Sequence, residues 1–259
     1  MKCLVDYLRD ELKAEASKVR VKDVRVGVVY TGVVLSSGHA GVAYTPVHEF
    51  SGCHVLPYAG SVAGRSSLDV INMALSPKLV EAAIGIAAVN ALSSMAFEIY
   101  PEKYVSSNVD VLELIKAGDI VTMIGYFGPL VSEITRKTSE LYVSEMKTIV
   151  DNRVNILSQS ETSEALSASD VVLISGSTLV NKTMNEILSL TGNAREVVLL
   201  GPTASVVPQP LFKRGITAVM GIRILNPEKM LRVISEAGGT KQLLSTCAEK
   251  IAFLKTQDE

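Results

Sequence analysis

The chain has 259 residues, 47% of them apolar and 20% charged, with eight tyrosines, five phenylalanines and no tryptophan. Twenty-five Lys and Arg stand against 27 Asp and Glu, a net charge of −2, which excludes the strongly basic signature of a nucleic-acid or acidic-membrane binder. The length suffices for one large domain or two modest ones, each able to bury a core without disulfide or metal staples.

Cys3, Cys53 and Cys247 form an odd, widely spaced set with no CxxC pair, which predicts a reducing, cytoplasmic setting. The opening MKCLVDYLRDELKAEASK reads as an amphipathic helix without a signal-peptide core. Residues 24 to 36 are rich in β-branched side chains and are followed, after Ser36, Ser37 and Gly38, by a second strand-like run at 41 to 45, which reads as a β-hairpin. Residues 46 to 67 carry Pro46, Pro57, Gly52, Gly60 and Gly64 without clear periodicity and predict an irregular connection over the surface or along a cleft, of a length that is often functional in compact domains. Ser76-Pro77 supplies an N-cap and a pre-set φ for an Ala-rich helix to about Phe97. Its most apolar window, from Leu79, contains Glu81 and Asn90, so a buried core helix is the reading, not a membrane span.

From Asp119 the pattern becomes short apolar strands (IVTMI, LYVSEM, VVLIS, VVLL and TAVMGI) separated by helical segments, which argues for a parallel sheet flanked by helices. Thr178 is placed to cap the helix around Met184 to Leu190, Asn226-Pro227-Glu228 opens another helix, and Gly238-Gly239 closes it. The compositional change around Pro101 and Gly118 puts a domain boundary near residue 110.

Three of these strands run straight into glycine loops: GYFGP at 125 to 129, GSTLVN at 176 to 181 and GPTAS at 201 to 205. In a parallel sheet all three lie on the carboxyl edge, where α/β proteins bind ligands. Glycine admits close backbone approach to a ligand, notably at Gly176 and Gly201, and Ser177, Thr178, Thr203 and Ser205 offer hydroxyl donors. An anion or a polar heterocycle suits such an edge. The dinucleotide fingerprint fails, because Phe127 stands where the second glycine of GxGxxG belongs; Glu145, 20 residues after Gly125, still has the spacing of a ribose-reading carboxylate. Turns and caps required by any αβ connection are the plain alternative for each loop.

His39, His48 and His54, the only histidines, fall with Cys53 inside 16 residues. Imidazole and thiolate are common ligands of zinc and softer metals, and Glu49 could add an oxygen. The spacing fits no recognised template, and polar loop residues are the plainer account. Arg65 is the lone cation of its Gly-rich stretch and a candidate for a carboxylate or phosphate, against an exposed Arg beside a turn. Glu81 suits its helix start electrostatically, while Asn90, on the opposite face, reads as a buried hydrogen-bonding residue. No Ser-His-Asp or Cys-His order is present.

The runs SLDVINMALSPKLVEAAIGIAAVNALSS, VTMIGYFGPLV, DVVLISGSTLVNKTMNEIL, REVVLLGPTASVVPQPLF and VMGIRILNPEKMLRVISEAGGT together resemble the heavy-metal chelation family of uncharacterised prokaryotic proteins. The resemblance implies an α/β protein: an α+β domain resembling the enolase N-terminal fold (residues 1–110) followed by a Rossmann-like parallel sheet with flanking helices (residues 111–259). It further implies a site in the interdomain cleft, with Gly125 to Pro129, Gly176 to Thr178 and Gly201 to Thr203 on its C-terminal side. The His and Cys cluster falls outside the matched runs.

The candidate ligand-binding residues are thus Arg65, Gly125, Tyr126, Phe127, Gly128, Glu145, Gly176, Ser177, Thr178, Gly201, Pro202 and Thr203. The expected ligand is a metal chelate, a transition metal or a small anionic molecule, held by an enzyme or a chelating protein. Direct metal ligation by His39, His48, Cys53 or His54 stays open, as do a homo-oligomer and the alternative of a non-catalytic nucleotide or small-molecule module serving as sensor or accessory subunit. Neither nucleic acid nor membrane is an expected partner.

Overall fold

The computed structural model describes residues 1–49 and 55–256; Cys53 and His54 of the candidate metal cluster lie outside them. The chain opens with α1 (Lys2–Glu11) and a short α2 (Lys13–Ala16), which bury Leu4, Val5, Leu8 and Ala16 along one face. An antiparallel sheet follows in the order β1 (Val21–Val26), β2 (Tyr30–Leu35), β3 (Ala40–Tyr44). The single strand expected over 24 to 36 is therefore two. The chain reverses at Gly27 to Val29, where the Gly27 N–H bonds to the Tyr30 carbonyl at 3.0 Å, and a side chain at Gly27 would meet the Ile234 carbonyl at 2.6 Å. A continuous apolar run cannot reveal such a break, because period-2 alternation is lost when both faces of the middle strand are buried, as they are along all of β2.

After α3 (Ser67–Val70) comes the long α4 (Leu79–Ile99). It begins two residues later than Ser76-Pro77 implied, with Lys78 at the N-cap. Ser76 still closes the entrance: its Oγ accepts the Lys78 N–H at 3.1 Å and donates to Glu81 at 2.7 Å. By length and composition α4 could cross a membrane, yet most of it is buried within the fold. It lies so close to the small sheet that a Cβ at Gly41 would stand 2.4 Å from the Ala87 carbonyl oxygen and the Ala91 nitrogen.

The second sheet has seven strands, β4 (Ile120–Ile124), β5 (Glu140–Ser144), β6 (Asn155–Ile156), β7 (Val171–Ser175), β8 (Glu196–Leu200), β9 (Ala218–Ile224) and β10 (Ala248–Leu254), in the order β10-β9-β8-β7-β4-β5-β6. All neighbours are parallel except β9 and β10. Its connections include α5 (Gly128–Lys137), α6 (Gln159–Ala168), α7 (Ser177–Asn181), α8 (Met184–Ser189), α9 (Gln209–Phe212), α10 (Pro227–Ser235) and α11 (Thr240–Thr246). The expected α/β architecture is what is found, with two strands, β6 and β10, added at the edges.

The sequence-predicted caps fare differently. Asn226 caps α10 by accepting the Lys229 N–H at 2.9 Å. That helix does not run to Gly238-Gly239; it ends at Ser235, and Ala237 takes the left-handed conformation at φ 59°. Thr178 sits inside α7 and donates to the Ser175 carbonyl at 2.8 Å, so it does not cap the helix at Met184; α7 and α8 are separate, and Lys182 between them also has positive φ, 71°.

Helix α10 covers the face of the small sheet opposite α4. Gly32 makes room for Ile234 and Met230, whose side-chain carbons would lie 2.4 and 3.1 Å from a Cβ there. Tyr30, Val34 and Val42 of the small sheet thus share one apolar cluster with Ile222, Met230, Ile234 and Leu243. Full burial stabilises by roughly 1.5–3 kcal/mol for each large aliphatic side chain, and this seam packs the small sheet against α10 and β9.

Candidate functional site

Strands β8, β7 and β4 are neighbours in the large sheet, so their carboxyl-terminal loops lie side by side. Together with Tyr30 and Tyr44 of the small sheet and the 3-10 turn Val47–Glu49, they enclose a cavity of about 900 Å³. Gly125, Tyr126 and Phe127, Gly176 to Thr178, and Gly201 to Thr203 all reach its wall, as do Glu145, Met146 and Lys147 after β5. Two of the nominated residues stand apart. Gly128 is not in the wall; its missing side chain makes room for the Tyr126 ring, 2.9 Å from where a Cβ would be. Arg65 is also outside it: its guanidinium bonds to the Ser61 carbonyl and hydroxyl at 2.9 and 3.2 Å and stacks 4.6 Å from the Tyr58 ring centroid.

The glycines serve chain against chain as much as chain against cavity. Gly176 lies under the third loop, where a Cβ would be 2.7 Å from the Ala204 nitrogen and 2.9 Å from the Thr203 carbonyl carbon. Gly125 has φ +91°, and a Cβ there would meet that of Ser175 at 2.7 Å. Gly201 is different: at φ +104° its nearest neighbour to a built Cβ is the Phe127 ring at 3.9 Å. Close backbone approach to a guest is therefore open at Gly201 and filled by the fold at Gly176. The expected hydroxyl donors are largely spent inward as well. Ser177 donates to the Ser175 hydroxyl at 2.9 Å, Thr178 to the Ser175 carbonyl, and Ser205 to the Pro202 carbonyl at 2.9 Å. Thr203 Oγ1 accepts the Tyr44 N–H at 2.8 Å, tying the third loop to β3.

Glu145 folds back on its own neighbourhood. One carboxylate oxygen accepts the Tyr126 N–H at 3.0 Å and the other the Lys147 N–H at 3.1 Å. The carboxylate at the ribose-reading spacing thus clasps the first glycine loop. Tyr126 is fixed at its far end too, its hydroxyl donating to Asp151 at 2.7 Å. Hydrogen bonds from Arg153 and Tyr126 hold the Asp151 carboxyl well below the usual carboxylate range.

The opposing wall carries chemistry that the strand-loop argument missed. Glu49 is pushed above the ordinary carboxylate range by burial, and the nearby charge of Glu145 adds to the shift, while the Asn181 amide, donating at 3.4 Å, and Lys147 oppose it. Lys147 also places its Nζ 5.0 Å from the Tyr44 ring centroid, bridging the two walls through a cation–π contact. Asn181 could have been found from the sequence, since it ends the GSTLVN loop. Tyr30, Tyr44 and Lys147 had no such signal, because nothing local marks a strand or loop residue as facing a distant sheet.

The two histidines among the described residues, His39 and His48, lie in different surroundings. His39 is held at the β2–β3 turn by Ser37 and Glu98 at 3.0 and 3.2 Å, whereas His48 lies in the cavity wall. Among the described residues no three His, Cys, Asp or Glu side chains are placed to hold a metal ion.

A seven-stranded, nearly all-parallel sheet with flanking helices and a three-stranded antiparallel sheet, with a cavity between the carboxyl edge of the larger and the tyrosines of the smaller, define a mixed α/β protein. The chain belongs to the family described as "Putative heavy-metal chelation": one profile of that description matches residues 108–253 and a second, with the same description, residues 9–93. An uncharacterized protein of Methanocaldococcus jannaschii is 30% identical over 246 residues, covering 88% of each chain. A crystal structure of a protein of unknown function from Pyrococcus horikoshii is 26% identical, with a TM-score of 0.81 over 98% of both chains. One from Desulfitobacterium hafniense DCB-2, at 20% identity, has the same fold, with a TM-score of 0.80 over 98% of this chain and 99% of that one.

Proposed function

We propose that this protein binds a small metal-chelating compound or its metal complex in the cavity between the two sheets. The observation that carries the reading is the convergence of three glycine loops, far apart in sequence, on one space of about 900 Å³. Sites for drug- and cofactor-sized molecules span roughly 300–1,000 Å³, far more than a bare ion occupies. His48 and Glu49 are the wall residues with the chemistry to complete the coordination. The charge of the wall favours the same ligand class: Glu49, Glu145 and Glu186 outnumber Lys147, so a cation-bearing guest is better matched than a free polyanion.

The test is native mass spectrometry with elemental analysis of the freshly purified protein. A small molecule in stoichiometric amount, with zinc, nickel or cobalt accompanying it, is the expected result. Metal bound without any organic companion, and lost in His48→Ala, would favour direct ligation by the protein instead. Protein that carries neither and binds no metal chelate on titration would remove the reading.

A further inference from the structure

A second cavity, of about 360 Å³, adjoins the first. Both are bordered by Leu130, Leu200, Gly201, Pro202 and Thr240, so the turn after β8 is the partition between them. Beyond that turn the walls change character. Met220 and Ile222 of β9, Leu244 of α11 and Ile251 of β10 line a mainly apolar space, whose wall also includes Lys250 and residues 107–111. That segment is pinned along β10, where the Ser107 N–H bonds to the Ala252 carbonyl at 2.8 Å. The partition is low at one point. Gly201 has no side chain, and a Cβ built on it would meet only the Phe127 ring, at 3.9 Å.

We propose that the second cavity is an annex of the first and receives the apolar arm of the same ligand. The ligand is then a two-part molecule: a polar, metal-chelating head between the sheets and a hydrocarbon or aromatic arm passing over Gly201 against Met220, Ile222 and Leu244. This inference rests on the reading given under Proposed function and adds the chemical class of the ligand. Continuity with the polar cavity selects the occupant. An independent apolar guest would have no need of a border shared with a charged compartment, whereas one molecule spanning both satisfies a polar and an apolar wall at once.

The experiment uses nickel complexes of N-methyl-, N-propyl-, N-butyl- and N-benzyl-iminodiacetate, titrated calorimetrically into the full-length protein. Affinity is expected to rise about fourfold for each methylene buried and to rise again for the benzyl complex. In Leu244→Trp, which fills the annex, the methyl complex should bind as before and the dependence on arm length should vanish. Met220→Phe, which lines the annex alone, serves the same purpose should Leu244→Trp fail to fold. Equal affinity for all complexes, or an arm-length dependence unchanged in both variants, would overturn the annex while leaving the polar site standing. Failure of every complex to bind would overturn the polar site and the annex with it.

Discussion

Asn90 and Thr203 stand 113 residues apart in sequence and are joined in the core, the Asn90 Nδ2 donating to the Thr203 carbonyl at 3.1 Å and to the Val42 carbonyl at 2.7 Å. One side chain of the central helix thus ties the small sheet to the third glycine loop of the large one. The Tyr44 N–H bonded to Thr203 Oγ1 doubles the tie. Asn90 is 1% exposed, and its Oδ1 is buried without a protein hydrogen-bond partner, so its contribution to the core comes through the two bonds its amide donates. Asn90→Ala should cost about 1–3 kcal/mol in urea denaturation and should weaken ligand binding without touching the cavity wall. A variant with unaltered stability would show that other contacts set the spacing of the two sheets.

The two glycines that looked equivalent in sequence should behave differently. Gly176→Val drives a side chain into the Thr203–Ala204 backbone and should lower the melting temperature sharply, since backbone cannot yield as a flexible side chain would. Gly201→Val meets no backbone atom and carries mainly the strain of φ +104° with ψ 170°, a region essentially confined to glycine that costs other residues about 1–3 kcal/mol; it should lose less stability than Gly176→Val and lose ligand. Circular dichroism melts combined with chelate titration distinguish the two. Equal loss of stability in both would contradict the geometry.

Glu145 closes the first glycine loop by accepting from the Tyr126 and Lys147 amides. In Glu145→Ala both amides should exchange with solvent about tenfold faster or more, the factor that corresponds to about 1.4 kcal/mol of lost protection. Glu145→Gln keeps one acceptor oxygen and should spare one of the two amides. Unchanged exchange in the alanine variant would mean that the clasp does not order the loop.

Lys182 links α7 to the segment before α4, its ammonium donating to the Ala74 carbonyl, and burial pulls its pKa down to about 8. Since the folded value lies below the unfolded one, the unfolded state holds more protons between these values, and stability from this group rises with pH from about 8 toward the free-lysine range. Below that window the charged form carries its full burial cost. Lys182→Met should therefore gain on the wild type near pH 7, and the gain should shrink as pH rises through 8 toward 10. Parallel stability curves for the two proteins would rule out a depressed pKa.

Helix α10 ends in a Schellman motif. The Gly238 N–H bonds to the Val233 carbonyl at 2.8 Å and the Ala237 N–H to the Ile234 carbonyl at 3.2 Å, with Ala237 holding the left-handed position at φ 59°. That conformation costs an L-residue about 1–2 kcal/mol, and glycine adopts it freely at an entropic cost of about 0.5–1 kcal/mol. Ala237→Gly should stabilise the protein by roughly 0.5–1 kcal/mol, read as a higher denaturation midpoint at unchanged slope. A destabilised variant would show that the Ala237 methyl packs more than the backbone strains.

Much of the architecture was legible in local pattern. The strands IVTMI, VVLIS and VVLL are continuous apolar runs because both their faces are covered, and each is followed by glycine because a strand that feeds a helix must turn sharply. These facts sufficed to put Gly125, Gly176 and Gly201 on one sheet edge. Asn90 was readable as a buried hydrogen-bonding residue from a lone amide in an Ala-rich helix. The break at Gly27 was not, because its cause, the Ile234 carbonyl, lies more than 200 residues away in sequence.

What the chain determines by itself is the set of elements and the shared edge, since hydrophobic periodicity and turn chemistry act over a few residues. What only the tertiary structure decides is the space between the sheets. Whether Gly176 faces a guest or the Ala204 backbone, whether Arg65 reaches the cavity or stacks on Tyr58, and whether Glu145 is free or clasped by its own loop are all set by side chains brought together across the fold. Such distances follow from how α4 and α10 seat the small sheet on the large one, and no spacing along the chain encodes them.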